Sequence, residues 1–384
     1  MSMHHRWGLR RVVLAMLAVS GIVAHPPALA VDVSIPVLVP ITGFLSLEGA
    51  SQRNGALLAM RRAPKGINIK SEVSDTGTSP DVAVNALERA ISRDRPTAIV
   101  ASMLGTQMLA MLPVALEAKV PLLTVSGTAR ITELKNPYVF RFFPGDDVAK
   151  EAHVRYVVEE LGKKRIALVY QTTAYGQSGR NEIVAKLKRF NLEPVMQEAL
   201  EPTIRDMSPA INKVRASNPD VVIIHLHSQP TALFVRAAAQ GRLNLPIIAG
   251  SAMHQPPTAA LLEPIEMTNV CAESNASPVS GETQAMRAFL KLYRDEFGGD
   301  PDGFALGQYD AVSMMLDAAA KGATTPAAVT QALSAATYDG LAMTYKSDGK
   351  GNMAHSAVIL CYDGKSRIPK VVKRYENVTG VLPR

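Results

Sequence analysis

The hydrophobic pattern of the chain is clearest between residues 97 and 128. The apolar run TAIVA at 97–101 is typical of a buried parallel strand, and a second run at 121–125 predicts the next strand. Thr106 is a good N-cap residue for a helix between them. Apolar side chains recur along that helix at the spacing of one face, at Leu109, Leu112 and Leu116. The segment therefore predicts a strand–helix–strand unit.

Two polar loops that contain glycine follow these strands, namely Leu104-Gly105-Thr106 and Ser126-Gly127-Thr128. Ligands of open α/β sheets bind at the carboxyl ends of the strands, so both loops are candidates for a binding site. Backbone N–H groups at a helix N-terminus, together with the hydroxyls of Ser126 and Thr128, suit a carboxylate. The same pattern also fits an ordinary strand–helix–strand unit with ordinary turns.

Strands and helices alternate along the whole chain in two runs. The first run has predicted strands at 33–39 and 67–74, each followed by a helical segment. An extended stretch at 138–142, broken by the turn residues of 144–147, predicts a crossing between two domains. The second run has predicted strands at 165–170, 193–199, 221–226 and 246–249, again separated by helices.

This alternation indicates βαβ units and parallel sheets, so the two runs predict two similar α/β domains. Residues 281–322 are predicted to be helical and to return to the first domain. The tail is different, because 341–345 and 356–362 flank a cluster of turn residues and predict a hairpin. A length of 384 residues accommodates two domains.

The first thirty residues are predicted to be a secretory signal peptide. A basic segment, HHRWGLRR, precedes an apolar run of thirteen residues, and HPPALA then ends in an Ala-x-Ala cleavage site at Ala30. The alternative is a membrane anchor that stays in place, but thirteen residues are fewer than the roughly 20 that span a bilayer. We therefore expect an exported, soluble mature protein.

Composition excludes some classes of function. Aromatic content is 5%, and the net charge of +7 includes three arginines of the first thirty residues, so no nucleic-acid partner is expected. No P-loop, G-x-G-x-x-G or H-E-x-x-H motif occurs, and Gly176-Gln177-Ser178-Gly179 does not fit G-x-S-x-G. The acidic pairs at 146–147 and 159–160 are interpreted as solvated surface. No enzyme activity and no cofactor are expected.

Only two cysteines occur, Cys271 and Cys361. They lack the C-x-x-C spacing and the histidine cluster of a metal or redox motif. An exported protein can form a disulfide, so a bridge and a pair of buried thiols both stay open.

The mature chain carries a series of landmarks in a fixed order: IPVLVPITG at 35–43, the segment 97–128, NPYVFRFFPGDD at 136–147, GKKRIALVY and AYG within 162–176, NPDVVII at 218–224, AAAQG at 237–241 and QYDAV at 308–312. In these segments it resembles the periplasmic solute-binding proteins of the branched-chain amino acid (leucine-binding) type, which serve ABC importers. The resemblance covers essentially all of residues 31–375.

The resemblance implies an α/β fold of the periplasmic binding protein type I. Two Rossmann-like lobes with parallel sheets would be joined by three crossover strands, with the ligand in the cleft between them. Lobe one would comprise 31–142 plus 275–342, and lobe two 143–274 plus 343–384. Both cysteines would then lie in lobe two, which favours a disulfide between Cys271 and Cys361.

The resemblance also implies ligand-binding positions. The carboxylate of the ligand would be held by the loop Leu104-Gly105-Thr106 and by the pair Ser126 and Thr128. Tyr175 matches an aromatic residue that often packs on the ligand, although it could also be a plain turn tyrosine before Gly176.

Two positions depart from the pattern of amino-acid binders. Ala252 stands where an acidic residue usually pairs with the α-ammonium group, and Glu48 stands where an aromatic residue usually contacts the ligand. The hypothesis is a small carboxylate other than a standard branched-chain amino acid, since a buried ammonium without a carboxylate is costly. Glu48 could instead supply the missing charge.

His225 and His227 occupy a stretch that often carries aromatic ligand contacts, and alternation places both on one face of a strand end. They could contact the ligand, His227 more readily than His225, or could simply be packed and hydrogen-bonded. A His-x-His metal pair would need a third ligand, and none is apparent nearby, so no metal is expected.

These observations predict an exported, periplasmic, monomeric solute-binding protein. It would capture a small carboxylate-bearing ligand, either an amino acid or an aromatic or aliphatic acid, and deliver it to the membrane permease of an ABC importer. The alternative is a ligand-sensing receptor domain that acts through a membrane partner, since both uses share the fold. A secreted hydrolase would need a nucleophile and a base, and neither is found.

Overall fold

The computed structural model describes residues 31–382 together with Met1 and Met3, so the predicted signal peptide lies outside the described residues. The first seven strands are β1 Val31–Ser34, β2 Val37–Val39, β3 Ile67–Lys70, β4 Val73–Asp75, β5 Ile99–Val100, β6 Leu122–Thr124 and β7 Val139–Arg141. The others are β8 Ile166–Gln171, β9 Met196–Leu200, β10 Val221–His225, β11 Ile247–Ala249, β12 Val270–Ser274, β13 Thr337–Asp339, β14 Thr344–Lys346, β15 Ala357–Cys361 and β16 Lys370–Tyr375.

Twelve helices accompany the strands in the described part of the chain. The first six are α1 Ser46–Arg61, α2 Pro80–Asp94, α3 Gly105–Ala118, α4 Arg130–Glu133, α5 Asp146–Arg155 and α6 Ala174–Lys188. The second six are α7 Ser208–Ala216, α8 Ser228–Gln240, α9 Pro256–Ala260, α10 Gln284–Phe297, α11 Gly303–Ala320 and α12 Pro326–Ala335. Within residues 31–382, none of the helices has the length and apolarity that a bilayer span requires.

The strands form two main sheets, each with helices on both faces. Lobe one is built on a parallel sheet of order β4-β2-β5-β6-β7. Lobe two is built on a seven-stranded sheet of order β16-β15-β12-β11-β10-β8-β9, in which β15 and β16 are antiparallel to their neighbours. Strands covered on both faces are mostly apolar, and the strand segments Val37–Val39 and Val221–His225 are fully buried.

The chain passes between the lobes three times. It leaves lobe one after β7, returns to it after β12 through α10 and α11, and leaves it again after β14 to form β15 and β16. Side chains of α11 and α12, such as Val312, Met315 and Leu333, share one core with Val37 and Leu123 of the first sheet. The late helices α11 and α12 therefore pack on the first sheet.

The helix of the strand–helix–strand unit differs in detail from its prediction. It begins at Gly105 with Leu104 as N-cap, so the prediction of Thr106 as N-cap was wrong. Leu116 is half exposed, because the buried stripe of α3 consists of Met108, Met111, Leu112 and Ala115. Gly105 is required where it stands, since a Cβ there would lie 2.1 Å from Oγ1 of Thr128.

The predicted hairpin of the tail was also wrong. Strand β14 pairs with β13, whereas β15 lies between β12 and β16 in the sheet of lobe two. The turn residues at 347–352 instead connect the lobes, and the carbonyl of Gly351 accepts a hydrogen bond from the N–H of Arg141 at 2.8 Å. A strand hidden in the second sheet buries more apolar surface than a local hairpin would.

A disulfide joins Cys271 and Cys361, 90 residues apart in sequence. The two residues lie directly opposite one another on the antiparallel strands β12 and β15. The bond therefore fixes the C-terminal pair of strands to the parallel part of the sheet in lobe two.

Candidate functional site

Loops at the carboxyl ends of strands from both lobes face each other across one small cavity. Lobe one contributes the loops after β5 and β6, the start of α1 and the start of α11, and lobe two contributes the segments after β8, β10 and β11. The cavity is lined by Leu45, Glu48, Met103, Val125, Gly127, Tyr175, His227, Ser251, Ala252 and Phe304. The space that the centre of a water molecule can reach is about 20 Å³, room for about one water.

The structure brings together most of the predicted site residues. Glu48, Tyr175, His227 and Ala252 line the cavity directly. Ser126 and Thr128 flank Gly127, which lines it. Ligand roles for these residues stay predictions.

The other three predicted residues lie just behind the cavity. Leu104 packs in an apolar cluster with Leu45 and Phe304, Gly105 lies against Thr128, and Thr106 is half-buried in the first turn of α3. Met103 takes the lining position in this loop. Met103 directly precedes Leu104, the first residue of the predicted binding loop.

The loop Ser126–Thr128 offers unpaired donors. The hydroxyl oxygens of Ser126 and Thr128 are buried and have no hydrogen-bond partner within residues 31–382. Helix α3 starts beside them with no side-chain cap on its first N–H groups. Hydroxyls and free N–H groups at a helix N-terminus form a seat for a carboxylate.

Tyr175 and the two histidines form an aromatic wall in lobe two. The ring centroid of Tyr175 lies 3.8 Å from that of His225 and 5.0 Å from that of His227. The hydroxyl of Tyr175 contacts Oγ of Ser251 at 3.2 Å. Thr173 holds this turn in place, because its side chain accepts a hydrogen bond from the N–H of Gly176.

The histidines differ in their surroundings. Nε2 of His225 donates to the carbonyl of Tyr175 at 3.1 Å, so His225 is packed and hydrogen-bonded behind the tyrosine ring. His227 lines the cavity. Burial lowers the pKa of His225, and it lowers the pKa of His227 to about 3. Both rings are therefore neutral at neutral pH.

Glu48 is the one carboxylate among the lining residues of the described chain. Its side chain belongs to α1 of lobe one, and its Oε1 accepts a hydrogen bond from the N–H of Ser228, the first residue of α8 in lobe two, at 2.9 Å. Oε2 has no partner within residues 31–382. Burial raises the pKa of Glu48, although the bonds from Ser228 oppose that effect.

A cluster of buried charges lies beneath the aromatic wall, and it corrects the sequence-based interpretation of Asp146 as solvated surface. Asp146 is 1% exposed, because it begins α5 directly after the crossover and points into lobe two. Lys150 forms ion pairs with Glu273 and, at 3.9 Å, with Asp146. His153 contacts Glu273 at 2.9 Å.

The pKa values of the two carboxylates in this cluster are shifted in opposite directions. Burial raises the pKa of Asp146 to about 7, against the opposing attraction of Lys150. Burial alone would also raise the pKa of Glu273, but the attraction of Lys150 and the bond from His153 outweigh it and lower that pKa. The two acids are both buried, and the different charges and hydrogen bonds around them therefore give them different pKa values.

The same cluster contains the atoms that a metal ion would need. Ligand atoms of Asp146, His225 and Glu273 lie within 4.8 Å of one another, so further candidate ligands do lie near His225, contrary to the sequence-based expectation. The ammonium group of Lys150 contacts both carboxylates of the group. Lys150 thus supplies the positive charge that a metal ion would otherwise bring, and the residues do not fit a metal site.

Two larger grooves occur on the surface, but the loops after β5, β6, β8 and β10 do not line them. One of about 470 Å³ lies along α1 and α10, and one of about 450 Å³ lies along α8. The groove on α8 is lined by residues of lobe two only. The cavity between the strand ends is therefore the candidate site despite its small volume.

Sequence comparison decides the family. The family model of the periplasmic binding proteins matches residues 32–363, which is most of the chain. The chain belongs to the periplasmic binding protein family. The resemblance predicted from the sequence is confirmed, and so is the fold class.

Two curated relatives illustrate the match. The amino acid binding protein of Pseudomonas aeruginosa is 28% identical over 235 residues, which cover 59% of this chain and 62% of that protein, less than two thirds of its length. Leu/Ile/Val-binding protein homolog 7 of Brucella abortus is 26% identical over 341 residues, which cover 84% of this chain and 86% of that protein.

Solved structures share the fold at low identity. LivJ of Streptococcus pneumoniae, in complex with isoleucine, gives a TM-score of 0.80 at 21% identity and covers 89% of this chain and 99% of that chain. An ABC-transporter solute-binding protein of R. palustris, in complex with benzoate, gives a TM-score of 0.80 at 16% identity and covers 91% of this chain and 100% of that chain. Both show the fold that this chain shares.

The residues that sequence reasoning missed are mainly those of distant elements. Phe304 is the second residue of α11, and Leu45 directly precedes α1; both join Met103 and Val125 in one apolar cluster at the cavity. Ser251 could have been found, since it stands beside Ala252 after a predicted strand.

Proposed function

We propose that this protein captures a small carboxylate-bearing ligand, an amino acid or an aromatic or aliphatic acid, in the cleft between its lobes. The observation that carries the proposal is the pair of buried, unpaired hydroxyls of Ser126 and Thr128 beside the cavity. They would hold the carboxylate together with the N-terminal turn of α3, which Leu104, Gly105 and Thr106 form. No cofactor is proposed.

The other walls suit the rest of a small ligand. Tyr175 and His227 would pack on it from lobe two, and Met103 and Phe304 from lobe one. Glu48 and Ala252 would meet the part of the ligand that lies away from the carboxylate seat. The ligands of the two solved neighbours, isoleucine and benzoate, share a carboxylate and an apolar body, which supports this division.

Binding would be coupled to closure of the lobes. We propose lobe one as 31–142 plus 275–342 and lobe two as 143–274 plus 343–384. A cavity with room for about one water admits an acid only after the lobes separate. Contacts from both lobes then favour the closed form when the ligand is bound.

Delivery would take place in the periplasm, to the membrane permease of an ABC importer, with the binding protein as a monomer. The closed form differs from the open form in the relative position of the lobes, which gives a permease a surface that reports the bound ligand. Membership of the periplasmic binding protein family supports this assignment.

The test is a thermal-shift screen of the mature protein, refolded to remove bound ligand, against amino acids, aromatic acids and short aliphatic acids. A ligand that binds the native state raises the melting temperature by mass action. The variant with Ser126→Ala and Thr128→Ala should lose the shift, while the exposed Ser92→Ala should keep it. The absence of a shift with every carboxylate would overturn the proposal.

A further inference from the structure

We infer that Glu48 selects ligands that carry a protonated nitrogen in addition to the carboxylate. This inference rests on the proposed function of the cleft and specifies its substrate class. One end of the ligand would meet the hydroxyls of Ser126 and Thr128, and a cationic nitrogen would meet Oε2 of Glu48.

The geometry of Glu48 requires a partner in the cavity. The residue is 2% exposed, so water supplies little solvation to its carboxylate. Oε1 is satisfied by the N–H of Ser228, but Oε2 is buried and has no partner within residues 31–382. A buried oxygen left unpaired beside a ligand cavity is a position for a hydrogen-bond donor on the ligand.

The surroundings of Glu48 leave the ligand as the source of positive charge. His227 lines the same cavity as a neutral ring, and Asp302 is a further acid near enough to raise the pKa of Glu48. Ser251 and Ala252, on the wall of lobe two, carry no charge. A cationic nitrogen on the ligand would therefore pair with Glu48 without competition from a side chain that lines the cavity.

Helix α8 favours the ionised form of Glu48. Its 13 residues begin at Ser228, whose N–H points at Oε1, so the positive end of the helix dipole faces the carboxylate. A ligand ammonium adds a second positive group on the opposite oxygen. The closed, ligand-bound cleft thus holds an ionised Glu48 between two donors, one from lobe two and one from the ligand.

This inference departs from the hypothesis that the ammonium side of the site is lost because Ala252 is not acidic. The carboxylate is supplied from α1 of lobe one instead of the loop after β11. Glu48 also contacts lobe two directly, so recognition of the nitrogen and closure of the cleft involve the same side chain.

The experiment is isothermal titration calorimetry on the refolded mature protein with matched ligand pairs. Each standard amino acid that shifts the melting temperature is compared with the acid that lacks its amino group, for example phenylalanine with 3-phenylpropanoate and leucine with 4-methylpentanoate. The wild-type protein should bind the amino member of a pair at least about tenfold more tightly. This comparison needs no variant.

The variant Glu48→Gln then tests the residue itself. Glutamine keeps an oxygen for the N–H of Ser228 but loses the charge, so affinity for the amino member should fall about tenfold to a hundredfold. Affinity for the acid that lacks the amino group should stay within about twofold. Glu117→Gln, an exposed change on α3, is the matched control and should alter neither affinity.

The outcomes separate the two proposals. Equal binding of both members of a pair by the wild-type protein would overturn the role of Glu48 and leave the proposed function in place. Preference for the amino member with no effect of Glu48→Gln would overturn the assignment of the residue. Binding of neither series would overturn the proposed function and, with it, this inference.

Discussion

The guanidinium group of Arg141 lies directly behind Thr128, and its Nη1 donates to the carbonyl of Thr128 at 2.9 Å. The same nitrogen lies 3.3 Å from the carbonyl of Gly127, and Nε donates to Asn352 at 3.0 Å. Arg141 is fully buried. It therefore fixes the backbone of the loop that carries the hydroxyls of Ser126 and Thr128 beside the cavity, and it places a cation behind the proposed carboxylate seat.

Replacing Arg141 with lysine should weaken acid binding about tenfold, because lysine keeps the charge but cannot hold two carbonyls and Asn352 with one planar fork. Titration calorimetry with an acid from the thermal-shift screen measures the change. Arg205→Lys, at an exposed site, is the control. Wild-type affinity in the Arg141→Lys variant would show that the loop keeps its shape without the guanidinium.

Closure should depend on Ser178, whose Oγ accepts a hydrogen bond from the N–H of Ala129 at 2.9 Å. Ala129 belongs to the loop after β6 in lobe one and Ser178 to α6 in lobe two, so this bond forms only when the lobes meet. Ser178→Ala should lower ligand affinity about threefold to tenfold. Affinity should be compared with that of Ser92→Ala, and equal values in the two variants would argue against a closure role.

Stability should depend strongly on the ion pair of Lys150 and Glu273. Both groups are buried, so Lys150→Met leaves an uncompensated carboxylate and should lower the free energy of unfolding by about 3–5 kcal/mol. Urea denaturation measures this loss. The exposed pair of Lys373 and Glu160 is the control, and Lys373→Met should cost less than about 1 kcal/mol. Similar losses of unfolding free energy in both variants would contradict a special contribution of the buried ion pair to stability.

Asp146 should make the stability of the protein fall as pH rises. Its pKa is 3.8 in the unfolded chain and about 7 in the folded protein. Between these values the folded state binds a proton that the unfolded state has released, so the contribution of Asp146 to stability declines across that window. Glu273, with a lowered pKa, acts in the opposite direction: its stabilisation is present above the unfolded pKa and is lost on acidification.

Comparison of Asp146→Asn with the wild-type protein isolates the effect of Asp146, because Glu273 is present in both. The difference in melting temperature between variant and wild type should shift in favour of the variant as pH rises from about 4 to about 7. Thermal denaturation in a buffer series measures it. A difference that stays constant with pH would show that Asp146 is ionised throughout.

The sheet architecture was predictable because fully buried strands read as short apolar runs. The segments 97–101, 121–125 and 221–226 each contain a buried strand that is followed along the chain by a helix. The predicted hairpin of the tail was wrong because β15 pairs with β12, which joins residues 90 apart at Cys271 and Cys361. Local turn signals in the sequence favour a nearby partner strand instead.

The site was predictable only in part, for a similar reason. Glu48, Tyr175 and Ala252 follow from positions relative to strand ends and from the family resemblance. Phe304 and Arg141 carry no local signal, since the first reaches the cavity through helix packing and the second acts through carbonyls of another loop. Asp146 looked like a surface acid because polar turn residues surround it, whereas the crossover buries it.

Small-angle scattering of the refolded mature protein, with and without a saturating carboxylate from the thermal-shift screen, tests the central claim most directly. Mass spectrometry should first establish that the refolded sample is free of ligand. Contacts from both lobes to one ligand predict a smaller radius of gyration in the presence of the acid. An unchanged radius in a ligand-free sample that demonstrably binds the acid would contradict capture by closure of the cleft.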